Sequence, residues 1–184
     1  MNDELDDLNE QQKKLCSVID VAKEFQRQYF CYKKACELGV FERDVDRFQL
    51  LVVNNFYDMA LLNWAHLFGN DKDFLHFKNC LPSPEEFLNN LMKHLGLNAA
   101  EWHSHWKNLK DFRDWRIAHK DNKAATVACL DTAYRCVLEY QKAASKLLNN
   151  STLGLPISEK DIESYKDELS KLMLVDSQED NLKR

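Results

Sequence analysis

Apolar side chains return at alternating three- and four-residue steps through most of this chain, a cadence that restricts its long stretches to helices with one buried face. From about residue 4 to 38 the stripe is Leu8, Leu15, Val18, Ala22, Phe25, Tyr29, Tyr32 and Cys36, and Gly39 ends it. A second stretch, about 42 to 68, carries Val45, Phe48, Val52, Phe56, Met59 and Leu62 on so broad an arc that it is expected to be the most buried element. The last long helix, from about 122 to 149, repeats the cadence at Val127, Leu130, Tyr134, Val137, Gln141, Ala144 and Leu148.

Between these lie shorter units. Residues 70 to 82 show no periodicity and read as a packed loop. Ser83, Pro84 and Glu86 start a helix that closes at Gly96, and Asn98 with Glu101 starts the next, which bears Trp102, Trp106, Leu109 and Phe112 toward residue 118. With 4 Gly and 3 Pro in 184 residues, the chain lacks the turn chemistry of a many-stranded fold. The expected class is all-α, with one bundle domain over residues 1–150. Residues 151–184 then hold a linker, a short amphipathic helix bearing Ile162, Tyr165, Leu169 and Leu172, and a frayed end.

Charge and cysteine usage narrow the function classes. A formal net charge of -5 excludes a uniformly basic surface, so any contact with nucleic acid must be local. The 6 Cys contain no C-x-x-C pair, and the N-terminus opens acidic instead of basic and apolar, which points to reduced thiols and a cytoplasmic protein. The apolar run from Phe48 to Phe68 is broken by Asn54, Asn55, Asp58, Asn63 and His66, which a membrane core would penalise.

The chemistry concentrates between residues 111 and 121. The steps Trp102, Trp106, Leu109 and Arg113 continue a core-facing stripe, so a permanent guanidinium charge is placed beside aromatic neighbours and needs a partner. His119 lies six residues on, which on an unbroken helix turns it about 120° away. The two groups serve one site if the helix ends between them or if a second copy completes the pocket. Histidine transfers protons near neutrality and arginine grips phosphate bidentately, so together they suit cleavage of RNA by its own 2′-hydroxyl without a metal. Arg116 and Lys120 add positive charge, since residues 101–123 hold six Lys or Arg against four Asp or Glu.

Arg113-Asp114, four intervening residues and His119 resemble the arginine, polar residue, spacer and histidine motif of the HEPN superfamily. The ending Ile117-Ala118-His119, with Asn63-Trp64-Ala65-His66-Leu67-Phe68 upstream, is similar to the abortive-infection branch of that superfamily. The resemblance implies an antiparallel four-helix bundle with additional short helices, a homodimer with its two motifs facing, and metal-independent endoribonuclease activity without a cofactor. In that family such proteins act as toxins or antiphage effectors, in some cases held by a cognate antitoxin, while others are inactive scaffolds. Carried over, Arg113 contacts the scissile phosphate, His119 is the leading acid or base, and Asp114 orients one of them, with Arg116 and Lys120 binding the RNA substrate.

Other readings of the same residues stand beside this one. Arg113 could form a salt bridge to Asp58 on a neighbouring helix, with His119 a cation at a helix C-terminus. A non-catalytic interaction module could use the C-terminal amphipathic helix to dock on a protein partner. Glu101, His103 and His105 fall on different helix faces and lack a third ligand spacing, so no metal site is expected. Trp102, Trp106 and Trp115 at helical spacing read as core or dimer interface before base-stacking platforms.

Overall fold

The computed structural model describes residues 8–41, 47–118 and 128–174, and every regular element among them is helical. The elements are α1 (Glu10–Glu37), α2 (Arg47–Trp64, extended by a π turn Ala65–Gly69), the short α3 (Phe77–Cys80), α4 (Pro84–Leu95), α5 (Ala99–Arg113, extended by a π turn Asp114–Ala118), α6 (Leu130–Leu147), a 3₁₀ turn Ser151–Gly154, and α7 (Glu159–Leu174).

Local chemistry accounts for most helix ends. Asn9 and Gln12 cap α1 reciprocally, and Asn98 and Glu101 do the same for α5, each pair satisfying amides that the first turn leaves free. At the other end of α1, Gly39 takes φ 67°, which brings the Val40 amide onto the Ala35 carbonyl at 3.2 Å. Gly96 at φ 70° closes α4 in the same way. Ser83, expected to cap α4, makes no side-chain cap bond; Pro84 and the acidic Glu85 and Glu86 occupy the first turn instead. The 70–82 stretch, read as a loop, contains the single turn α3.

The long helices pair antiparallel. Tyr32 of α1 stands 5.0 Å from Tyr57 of α2, Tyr29 stacks on Tyr134 of α6 at 4.6 Å, and Tyr57 and Phe68 of α2 meet Phe112 and Trp102 of α5 at 5.5 and 6.3 Å. The order is therefore up, down, up, down for α1, α2, α5 and α6. Phe25, Leu61, Trp64, Leu67, Phe68, Leu109, Val137 and Tyr140 form the core at their centre. In α2 the broad apolar arc is only partly used. Leu61 and Trp64 are fully buried, but Phe48 is 57% exposed, Leu51 65% and Met59 37%, because α1 and α5 cover its inner side and no described residue covers the outer one.

Two features needed the tertiary structure. The last long helix was expected from about residue 122, yet Cys129 has an extended backbone and α6 begins at Leu130. The carbonyl just before it, Ala128, is taken by the Tyr57 hydroxyl at 2.7 Å, a long-range bond that replaces a helical one. The second feature is a buried pair of amides. Gln26 donates to Gln141 at 2.7 Å and accepts from the Ile157 amide at 3.0 Å, while Gln141 donates to the carbonyls of Leu153 and Leu155. That network fastens residues 153–157 and leads α7 back onto α1, where Leu169 and Met173 pack with Cys31, Ala35, Val40 and Val53. Burial there pushes the Cys31 thiol up to about 11.

Candidate functional site at the ends of α2 and α5

Both helices that carry the candidate residues finish in a π turn, a wider coil that departs from the α-helical register. Arg113 is the last α-helical residue of α5, and the stripe that leads to it is arranged as the sequence requires: Trp102 and Leu109 are buried, Trp106 is half-buried, and the Arg113 side chain is 21% exposed. Its Nη1 reaches the end of α2, where a Cβ on Gly69 would lie 3.6 Å from it and 3.3 Å from the Trp64 ring. Glycine there lets the guanidinium, the indole and the π turn close on one another.

Asp114 holds Arg113 in place. Arg113 Nε donates to Asp114 Oδ1 at 2.8 Å and Nη2 donates to the same oxygen, while Lys110 Nζ binds Oδ2 at 2.8 Å. Partial burial works against ionisation of this carboxyl, but the bonds from Lys110 and Arg113 outweigh it and hold Asp114 below its ordinary value. It is a fixed anion at neutral pH that sets the plane of the guanidinium. Nη1 has no hydrogen-bond partner among the described residues.

One turn on, Arg116 binds Asp58 Oδ1 through Nε and lies 6.0 Å above the Tyr57 ring. The reading in which Arg113 bridges to Asp58 is thereby corrected: that carboxylate belongs to Arg116, because Arg113 points back along α5 toward Gly69 and its own neighbour occupies it. Tyr57 then ties this cluster to Ala128. His119 and Lys120 lie outside the described residues, in the interval between Ala118 and Ala128. Arg116 and Tyr57 thus stand beside both ends of the interval that carries them. Tyr57 was not singled out from the sequence, where an aromatic in an apolar stripe has no signal beyond core packing.

The upstream motif divides by environment. Trp64 is fully buried, and neither its Nε1 nor the buried Asn63 Nδ2 has a hydrogen-bond partner among the described residues. His66 is exposed and pairs with Asp73 at 2.7 Å. His76 is buried and neutral: Nε2 donates to the Phe68 carbonyl at 3.1 Å, Nδ1 accepts from the Lys78 amide at 3.3 Å, and burial lowers its pKa. His105, in contrast, keeps a buried Nε2 beside Trp102 with no partner among the described residues, and burial lowers its pKa from 6.5. Its folded form stays neutral while the unfolded chain takes up a proton below 6.5, so stability is lost as pH falls through that value. His105→Phe is expected to raise stability by about 1 kcal/mol at pH 7, with a gain that widens toward pH 5 in thermal melts.

Comparison with protein-family models, curated proteins and solved structures finds no match to this chain. Among the described residues no helix is long and apolar enough to cross a membrane.

Proposed function

We propose that the chain is a metal-independent endoribonuclease of the HEPN type, a toxin or antiphage defence effector that works as a homodimer. The observation that carries this reading is Arg113: a guanidinium fixed by Asp114 through Nε and Nη2, with no hydrogen bond to Nη1 among the described residues, and placed five residues before the interval bearing His119. A positive group so held can receive a phosphodiester without reorganising at the moment of reaction. The 2′-hydroxyl of the substrate attacks phosphorus and the P–O5′ bond breaks. His119 takes the 2′ proton or supplies one to the departing 5′ oxygen, and the products are a 2′,3′-cyclic phosphate and a 5′-hydroxyl. Asp114 orients Arg113, and Arg116 and Lys120 extend the positive field along the strand. Facing copies across a twofold axis would bring a second His119 to each Arg113, and a cognate antitoxin would restrain the pair.

Purified protein incubated with RNA in EDTA is expected to give fragments with 2′,3′-cyclic ends, and His119→Ala to lose a hundredfold or more of that rate, on the order expected for a general acid or base. Intact RNA, or equal cutting by His119→Ala, removes the proposal. A second reading, a non-catalytic module that binds a protein partner, is favoured by one observation, the exposed Phe48, Leu51 and Met59 on α2. Intact RNA together with a stable complex lost on Leu51→Glu would select it.

A further inference from the structure

We propose that the pocket between the end of α2 and the first half of α5 is a subsite for one base of single-stranded RNA. The inference rests on the reading of Arg113 for its place along the strand, but the binding itself needs no cleavage. The pocket holds about 290 Å³, the scale of a small planar ligand. Phe68, Phe77 and Trp102 form an apolar floor, while His103, Trp106 and the Asp71–Lys78 pair line its polar part.

Trp106 is the stacking surface. Its Nε1 donates to the Phe68 carbonyl at 2.7 Å, and the buried His76 donates to that same carbonyl, so the indole is pinned by one edge while the residue remains half-buried. His103, one turn earlier and exposed, holds its ring 6.0 Å from the indole at 27°. A flat ring between two others needs two contact distances, roughly 7 Å in all, so a small side-chain rotation of His103 admits one. Trp106 packs partly against the core and His103 is exposed, and aromatic faces of this kind stack on any base because every base has a π face.

The charges suit a nucleotide. Asp71 binds Lys78 at 2.6 Å and is held below its ordinary pKa by that bond, so it accepts hydrogen bonds from ring N–H and amino groups at neutral pH. Lys78 balances it, so the strand's phosphates meet no net anionic wall. Arg113 follows Trp106 by two helical turns, about 10 Å of rise. Its side chain leans back to Gly69, the residue after Phe68, whose carbonyl edges the pocket. One strand can place a base on Trp106 and a phosphate on Arg113.

The test uses a fluorescent 2′-O-methyl RNA hexanucleotide, which cannot be cut, and an abasic strand of the same length, titrated into the full chain and read by anisotropy. Wild-type protein is expected to bind the base-containing strand at least fivefold more tightly than the abasic one. His103→Ala is expected to erase at least half of that ratio with an unchanged melting temperature, and Trp106→Phe to weaken base-dependent binding less than Trp106→Leu. Equal affinity for the two strands, or a His103→Ala protein that discriminates as wild type does, overturns the subsite. Cleavage of natural RNA alongside equal affinities would leave the ribonuclease reading standing and remove only the subsite, whereas base-dependent binding without cleavage would do the reverse.

Discussion

Replacing Arg113 with alanine is expected to slow RNA cleavage by roughly a hundred- to a thousandfold, the loss seen when one preorganised charge-stabilising group is removed from a transition state. Stability should change little. Asp114 keeps its bond to Lys110, so no carboxylate is left unpaired, and the cost is that of the lost guanidinium packing at Gly69, about 1 kcal/mol. Arg113→Lys retains the charge but not the planar fork that donates through Nε and Nη2, so it is expected to restore only a small part of the rate. Arg116→Ala provides the contrast. It leaves Asp58 partly buried with no counter-charge among the described residues and the Tyr57 face without its cation, at a cost of about 1 to 2 kcal/mol, and its effect on cleavage should be smaller. Single-turnover cleavage rates and denaturant unfolding of the three variants check these expectations. Undiminished cleavage by Arg113→Ala would move the chemistry elsewhere on the molecule.

The largest stability effect is expected at Gln141. Gln141→Leu removes the acceptor of one Gln26 N–H, which keeps only its bond to the Ala22 carbonyl, and the donor to the part-buried carbonyls of Leu153 and Leu155, three bonds at about 1 kcal/mol each, for a loss of roughly 3 kcal/mol. In a protein of this length that is a fall in melting temperature of roughly 6 to 12 °C. Because each glutamine serves the other, adding Gln26→Leu should cost much less than it does alone. Additive losses in a double-mutant cycle, or a Gln141→Leu loss below about 1 kcal/mol, would show that the amides do not act as one network. The C-terminal segment is held by this network, since the Ile157 amide also ends on Gln26. Proteolysis near residue 155 should therefore quicken in Gln141→Leu.

How much of this was legible depends on the distance over which each feature is decided. The Asn98 to Glu101 cap, the stop at Gly39 and the stripe that carries Arg113 each involve residues within a few positions of one another, and the structure has all three. The start of α6 was not legible. Whether Ala128 joins the helix depends on Tyr57, 71 residues away, whose hydroxyl takes the carbonyl. The two buried glutamines likewise looked like ordinary helix residues, since a polar side chain in an apolar stripe does not announce a partner 115 residues distant.

At the candidate site the division is finer. The residue types and the steps along α5 were enough to place Arg113 against aromatic neighbours and to require an anion near it. The choice among Asp58, Asp114 and a substrate phosphate was open, because all three satisfy a guanidinium equally well as chemistry. Between the two carboxylates, direction decides. Side chains on a helix lean toward its N-terminus, which carries Arg113 to Gly69 and leaves Asp58 to Arg116.

By itself, the order of residues determined that the chain is helical, where most of its helices begin and end, and which faces seek a core, because backbone hydrogen bonding and side-chain periodicity act over one or two turns. Only the tertiary structure decided which carboxylate each arginine takes, which part of the α2 arc no described residue covers, and that the indole of Trp106 and the imidazole of His103 line one pocket two helical turns from Arg113. Those outcomes depend on helices crossing at particular heights, and the energies that set the crossings are sums over contacts from distant parts of the chain.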